Sequence, residues 1–373
     1  MAEKVKKVHH REPLIHLSKR DDMAPWKMWT IRIVTILFGF FVVGLISTAL
    51  TGESLGDVYE TMFRGVFGRL LEGKTSMLWM FLQRTAILLC LSLAVTPAFK
   101  MKFWNCGAEG QALMGGLAAM VCMIHLGGKL PEPLLLIVVI LSSILVGAIW
   151  GFVPAIFKAQ YNTNETLFTL MMNYVATQIV SYYVYLVGQG SGVIQPVLTG
   201  ALPVIGENEY LLNILIVVVA MVLMFIYLKY SKQGYEITVV GESQNTARYI
   251  GINVKKVIMR TMLISGAVCG LAGLLLVSGI DHSVNANSIG GQGFTAIMVS
   301  WLGQFNPFII ALMSALVTFL KMGIGKVAEA AFLDKSFADV ASGIVILLLV
   351  GCEFFIRYSI KFRHTKTKKE ATE

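Results

Sequence analysis

Charged residues are scarce in this sequence. Asp, Glu, Lys and Arg together make up 14% of the 373 residues, whereas 56% of the residues are hydrophobic. The mean hydropathy of +0.70 lies above that of ordinary water-soluble domains. Apolar runs recur along the chain, and about 20 apolar residues let a helix cross the hydrocarbon core of a bilayer. The composition therefore predicts a membrane protein.

Enzymatic motifs are also missing. The sequence contains no H-E-x-x-H, no G-x-S-x-G and no C-x-x-C, and the predicted spans hold no cluster of carboxylates. The five cysteines are Cys90, Cys106, Cys122, Cys269 and Cys352. We interpret them as small apolar residues rather than metal ligands or disulfide partners. We therefore predict no catalytic residue, no metal site and no cofactor.

One motif, in contrast, is typical of nucleotide-binding enzymes. Residues 68–75, GRLLEGKT, match the pattern G-x-x-x-x-G-K-[ST] of a phosphate-binding P-loop. A functional P-loop follows a strand and opens a soluble helix, whereas here a lipid-facing span begins near Met77. Leu70 and Leu71 are more typical of the apolar face of a short interfacial helix. We therefore expect no nucleotide site in this segment.

Apolar run length and loop charge together predict about ten membrane-spanning helices. Their predicted bounds are 31–50, 77–98, 105–126, 133–157, 166–187, 210–230, 259–279, 292–305, 307–325 and 337–358. The predicted fold class is an all-α polytopic membrane protein built from two inverted halves, with some short or broken helices.

Basic residues predict the orientation. Lysine and arginine crowd residues 1–30 and 359–373, whereas the loops 188–209 and 281–291 contain neither. The positive-inside rule then places both termini in the cytoplasm, and it explains the net charge of +9 better than nucleic-acid binding does. The first 30 residues are too polar for a signal peptide, so we expect the first span to be retained. The predicted domains are two basic tails, 1–30 and 359–373, and a transmembrane domain, 31–358, with a cytoplasmic loop at 231–260.

Two predicted spans open on glycine clusters. The glycine-rich segments begin at Asn105 and Gly290, and the second span is interrupted early by Pro307. They take corresponding positions in two stretches, 84–187 and 260–358, that enter the membrane from opposite sides. Such paired irregular segments indicate a translocation pathway near the midplane. The alternative, which is compatible with the first, is that the glycines only permit close helix packing.

Polar residues near these openings are the candidates for the pathway. Asn105, Glu109 and Gln111 share the start of the third span, and Asn173 and Tyr174 lie in the fifth. Glu109 either faces the pathway or caps its own helix at the cytoplasmic boundary. Asn173 and Tyr174 either bind a polar solute or bond to neighbouring helices. We also expect two asparagines, Asn162 and Asn164, to cap the start of the fifth span.

Ionisable groups are few along the predicted pathway. Arg84, Glu109, Glu165 and Lys321 are almost the whole set, and each lies near the end of a span. Ion-coupled transporters usually carry buried ionisable residues in their spans. An external energy source and an uncharged solute therefore fit better, although an ion-coupled secondary transporter of a small uncharged solute stays open as the alternative.

The longest cytoplasmic loop, residues 229–260, is amphipathic rather than uniformly polar. We predict a short helix that starts near Ser243 or Asn245 and ends at Gly251. An apolar face on such a helix indicates docking against a cytoplasmic partner rather than a plain connection.

Four segments resemble one family. FWNCGAEGQALMGGLAA resembles the F-N-I-G-A-E-G-Q segment of ABC-importer permeases of the branched-chain amino acid and ribose type, in particular the nucleoside and simple-sugar subgroup associated with basic-membrane-protein-like receptors. NETLFTLMMNY, the long segment from Gly234 to Gly273, and GQGFTAIMVSWLGQFNP are similar to further motifs of that subgroup. Together the matches extend from about Arg84 to Pro307.

The resemblance implies a permease subunit of the bacterial plasma membrane that moves a purine-type nucleoside, or a simple sugar, inward by alternating access. It also implies a second permease, related or identical, a cytoplasmic ATPase that hydrolyses ATP on a separate chain, and an extracytoplasmic substrate-binding lipoprotein. NTARYIG stands where many such permeases have E-A-A-x-x-x-G, with Asn245 and Thr246 departing from that pattern. The implied residues for ATPase coupling are Glu242, Ala247, Arg248 and Gly251.

Overall fold

The computed structural model describes residues 15–19, 24–68, 75–190, 192–206, 208–334 and 336–362. Most of the two predicted tails, and residues 69–74 of the P-loop match, lie outside these ranges. The described residues form thirteen α-helices and one two-stranded sheet, which confirms the all-α class. The helices are α1 (Pro25–Thr51), α2 (Leu55–Phe67), α3 (Ser76–Lys100), α4 (Ala108–Leu126), α5 (Glu132–Tyr161), α6 (Glu165–Val187), α7 (Leu211–Tyr230), α8 (Lys232–Glu242), α9 (Gln244–Tyr249), α10 (Val254–Leu276), α11 (Gln292–Leu302), α12 (Pro307–Ala330) and α13 (Ser336–Arg357). A π-helical turn, Val277–Asp281, continues α10.

Eight of the described helices are long and apolar enough to cross a membrane, so the protein is a multi-pass membrane protein. The fifth and eighth predicted spans correspond to α6 and α11, which are outside that set of eight. With only 11 residues, α11 is too short to span a bilayer alone. The prediction of a short helix at this position is confirmed.

The chain divides into two compact units, residues 53–342 and residues 1–52 with 343–373. In the larger unit α10 packs closely against α4 and α5. An added Cβ at Gly147 or Gly270 would clash with the facing backbone, so these glycines are required for the close approach. The Ser143 hydroxyl lies 2.8 Å from the carbonyl oxygens of both Gly115 and Gly270. Close glycine packing is therefore present in this core, and it includes Gly115 of the segment that begins at Asn105, where an added Cβ would clash with the backbone of Gly270.

The smaller unit contains an ion pair that the sequence did not suggest. Arg32 on α1 is 4% exposed, and its Nε donates to Glu353 Oε1 on α13 at 2.8 Å. Breaking a buried pair of this kind costs about 3–5 kcal/mol, because the remaining charge keeps its desolvation penalty. The segments predicted as plain tails also contain structure, since β1 (Ile15–Lys19) pairs antiparallel with β2 (Tyr358–Phe362).

Helix caps test the local predictions. Asn164 is the N-cap of α6, where its Oδ1 accepts the N–H of Leu167 at 3.1 Å, as expected. The prediction for Asn162 is wrong, because this residue ends α5 in a left-handed conformation with φ of 51°. Ser243 caps α9 by accepting the N–H of Thr246 at 3.2 Å, and Gly251 follows the helix with φ of 84°. The short helix in the 229–260 loop is thus confirmed.

Candidate functional site

The start of α4 is organised by two buried amides. Asn105 is fully buried in the irregular segment before α4, and its Nδ2 donates to Ser265 Oγ at 3.0 Å and to Gln111 Oε1 at 3.3 Å. Its Oδ1 accepts from the Gly107 N–H and from Gln111 Nε2, both at 3.1 Å. These bonds tie the segment to α10 and to the first turn of α4.

Asn173 connects α6 to the start of α4. Its Oδ1 accepts the N–H of Gly110 at 2.9 Å, and its Nδ2 donates to the carbonyl of Cys106 at 2.8 Å. A Cβ at position 110 would lie 2.8 Å from Asn173 Oδ1, so only glycine permits this approach. Both ends of the Asn173 amide are therefore used by neighbouring backbone, as polar side chains between membrane helices commonly are.

Glu109 links α4 to α11. Its Oε1 accepts the N–H of Gly291 at 2.8 Å, and its Oε2 accepts the N–H of Gly293 at 2.7 Å. The expectation that Glu109 caps its own helix is therefore wrong, because it caps α11 instead. A carboxylate is stabilised there by unpaired N–H groups and by the positive end of the helix dipole. The two glycine-opened helices thus meet end to end through this side chain.

Two polar residues singled out in the sequence lie outside the group at the start of α4. Tyr174, next to Asn173 on α6, is 67% exposed and forms none of the hydrogen bonds described above at the start of α4. Glu165, in the first turn of α6, pairs with Lys158 at 2.8 Å instead. The cluster at the start of α4 is therefore formed by Asn105, Glu109, Gln111 and Asn173, and we call these four residues the α4 cluster.

A cavity of about 350 Å³ lies between α3, the π-helical turn, α11 and α12. The polar side chains that line it are Arg84, Asp281, Ser288, Gln292, Thr295, Thr318 and Lys321. Its apolar lining includes Ile87, Leu88, Leu276, Ile280 and Met322. Arg84 and Lys321 are noted above as charges near span ends, whereas sequence reasoning missed Asp281 and Gln292. An ionisable residue at the end of an apolar run was the signal that could have identified Asp281.

The π-helical turn positions Asp281 at this cavity. Asn213 of α7, itself buried, donates from Nδ2 to the Gly279 carbonyl at 3.2 Å. The Ser278 hydroxyl donates to the Gly200 carbonyl at 3.0 Å, and the Ser278 carbonyl accepts the N–H of Leu202 at 3.0 Å. Turns of this type often occur at functional sites. The loop around residues 200–202 and α7 therefore hold the end of α10 in place.

The residues implied in ATPase coupling lie on and beside α9. Ala247 is buried, whereas Glu242, Arg248 and Gly251 are exposed. Tyr249, which sequence reasoning did not select, is 93% exposed on the same short helix. Within α8, Gly241 packs against the Lys100 carbonyl at the end of α3, where a Cβ would clash. The exposed part of α9 is thus connected through α8 to α3.

Among the described residues, no group of three or more His, Cys, Asp or Glu side chains is arranged to hold a metal ion.

Comparison with known proteins gives the family. The family model for the permease component of branched-chain amino acid transport systems matches residues 77–350. The guanosine ABC transporter permease protein NupP of Bacillus subtilis is 28% identical over 91% of this chain and 97% of its own length. A glucose ABC transporter permease protein of Haloferax volcanii is 28% identical over 93% of each chain. A nucleoside ABC transporter permease protein of Lactococcus lactis is 25% identical over 79% of this chain and 83% of its own. The family match covers most of the chain, which therefore belongs to the family of branched-chain amino acid transport system permease components.

Proposed function

We propose that this chain is the transmembrane permease subunit of an ABC importer that moves a nucleoside of the purine type, or a simple sugar, into the cell by alternating access. The observation that carries the proposal is the meeting of α4 and α11 at Glu109, which joins two irregular helices of a multi-pass protein. The relatives named for guanosine, nucleoside and glucose transport support the solute class.

The α4 cluster and Tyr174 lie near the pathway in this proposal. Asn105, Gln111 and Asn173 hold the start of α4, and Glu109 transmits its position to α11. Tyr174 has a secondary role from the exposed face of α6. Charge-assisted hydrogen bonds join α11 to the start of α4 through Glu109, so a displacement of one helix would be passed to the other, which suits a pathway that opens alternately to the two sides.

Coupling to ATP hydrolysis is assigned to the loop 231–260. The exposed side chains of Glu242 and Arg248 contact a separate cytoplasmic ATPase, while buried Ala247 and the turn at Gly251 set the angle of α9. The close contact of Gly241 with α3 supports this assignment, because a displacement of α8 and α9 would reach α3 directly.

The remaining partners follow from the same proposal. A second permease, related or identical, completes the pathway, and an extracytoplasmic substrate-binding lipoprotein delivers the solute. Both termini lie in the cytoplasm of a bacterial cell, since the basic residues crowd both ends of the sequence.

Reconstitution tests the proposed function. Uptake of guanosine or a simple sugar into liposomes is expected only when the permease, its ATPase, the receptor and ATP are all present. Uptake by this chain alone, driven by a proton or sodium gradient, would instead identify an ion-coupled secondary transporter and overturn the proposal.

The coupling residues have a separate test. Arg248→Glu and Gly251→Pro are expected to abolish uptake and the stimulation of ATPase activity by loaded receptor, while membrane insertion is retained. The matched control is Arg64→Gln, because Arg64 is an exposed residue of α2 that pairs with Glu60. Normal uptake by both coupling variants would contradict the assignment of α9.

A further inference from the structure

The cavity between α3, the π-helical turn, α11 and α12 has the size of a site for one small molecule. Small-molecule sites in proteins measure about 300–1,000 Å³, and this cavity, at about 350 Å³, is at the lower end of that range. It lies wholly within the larger unit and is distinct from the α4 cluster, none of whose members lines it. The cavity is therefore a second candidate site, separate from the α4 cluster.

The lining combines two kinds of surface. Arg84, Asp281 and Gln292 offer charged and amide groups, whereas Ile87, Leu276 and Ile280 offer hydrocarbon. A free sugar carries a hydroxyl on almost every ring carbon and has only small apolar C–H faces, so hydroxyls placed against hydrocarbon would lose hydrogen bonds to water without replacement. A nucleoside has a flat base with apolar faces and a ribose that carries hydroxyls. The mixed lining thus fits a nucleoside better than a sugar.

The charged side chains around the cavity include both signs. Arg84 and Lys321 are cationic, and Asp281 is anionic. The nearby N-terminus of α11 is the kind of place where a phosphate binds, but the Glu109 carboxylate already accepts its N–H groups. Lys321 in turn lies 3.9 Å from Asp339 and 3.4 Å from Thr295. Asp281 thus lines the same cavity as Arg84, and Asp339 lies beside Lys321, so an uncharged ligand would leave these charged groups undisturbed.

We propose that this cavity is a nucleoside-binding site within the single permease subunit, where the Asp281 carboxylate accepts hydrogen bonds from the ribose hydroxyls and the apolar lining contacts the base. This inference rests on the proposed function and names the solute class within it. An ionised carboxylate accepts hydrogen bonds and donates none, so it pairs well with two neighbouring hydroxyls, as it does in dinucleotide-binding proteins. The π-helical turn keeps Asp281 in position through Asn213.

The first experiment measures binding to the full-length chain in lipid nanodiscs, with tritiated guanosine as the probe. Unlabelled guanosine is expected to displace the probe at a concentration at least about tenfold below that needed for D-ribose or guanosine monophosphate, a difference of about 1.4 kcal/mol. Absence of saturable guanosine binding, or equal displacement by ribose or by the monophosphate, would overturn the inference.

The second experiment assigns the role of Asp281. Asp281→Asn is expected to weaken guanosine binding by about tenfold and to remove the preference for guanosine over 2′,3′-dideoxyguanosine. Asp281→Glu, which keeps the carboxylate, is expected to retain that preference and so to show that the site still folds. Glu132→Gln is the matched control, because Glu132 is an exposed carboxylate of α5 outside the cavity. An unchanged preference in Asp281→Asn would refute the role of Asp281.

Uptake measurements separate this inference from the proposed function. ATP-driven nucleoside uptake by the wild-type complex, together with unchanged uptake by Asp281→Asn, would overturn the inference and leave the proposed function standing. Absence of ATP-driven uptake of any nucleoside or sugar by the wild-type complex would overturn both.

Discussion

The α4 cluster and the cavity use their polar groups differently. In the α4 cluster, the amides of Asn105 and Asn173 are satisfied by backbone and side chains of the same chain. At the cavity, Arg84 and Asp281 border a space large enough for a solute. Buried polar groups that are fully paired stabilise helix packing, whereas polar groups that line a space are available to a ligand. Residues selected by the same criterion, a polar group in a span, thus divide into two roles.

The largest expected effect is on the α4 cluster. Asn105→Leu leaves Ser265, Gln111 and the Gly107 N–H without their partner, and each buried unpaired group costs about 1–3 kcal/mol. We expect a large fall in the apparent melting temperature of the purified protein and little folded material. Gln160→Leu is the control, because Gln160 is an exposed amide near the end of α5. A normal melting temperature for Asn105→Leu would show that the cluster is not structural.

A substitution at the cavity should change ligand binding without changing the stability of the protein. Arg84 and Asp281 line the cavity and both are exposed, so Arg84→Gln removes a cation near Asp281 but leaves no buried group without a partner. We expect guanosine binding in nanodiscs to weaken by about tenfold, the equivalent of about 1.4 kcal/mol, with no change in melting temperature. If Arg84→Gln lowered the melting temperature but left guanosine binding unchanged, the cavity and the α4 cluster would not differ in role.

A smaller effect is expected at Tyr174. Tyr174→Phe removes only a hydroxyl from an exposed ring, worth about 1 kcal/mol when it forms a hydrogen bond. We expect uptake to fall by no more than about fivefold, with a normal melting temperature. Tyr182→Phe, on the same helix and also exposed, is the matched control. A complete loss of uptake would give the exposed face of α6 a role equal to that of the cavity.

The smallest effect is expected in the P-loop match, whose Lys74 lies outside the described residues. Lys74→Ala should leave ATP-driven uptake almost unchanged, because the sequence context lacks the strand and soluble helix of a nucleotide site. Loss of uptake at normal expression would contradict this prediction.

Contacts between residues that are close in the sequence could be predicted, whereas contacts between distant residues could not. The cap of α6 at Asn164 and the cap of α9 at Ser243 involve residues three positions apart, so local pattern was enough to identify them. For Glu109 the sequence left two alternatives, the pathway or a cap of its own helix, and the second named the wrong helix because its partners follow it by more than 180 residues. Asp281 carried a local signal, as an ionisable residue at the end of an apolar run, but the cavity that it lines is built by distant segments, α3, α11 and α12.

Membrane character, the order of the apolar spans and the family follow from the sequence, because run length, loop charge and contiguous motifs are local properties. Only the tertiary structure decided which polar residues are saturated, which helix Glu109 caps and where a solute has room. Those outcomes depend on how α3, α4, α6, α10, α11 and α12 pack together, and hydrogen bonds between distant segments exist only after that packing is complete.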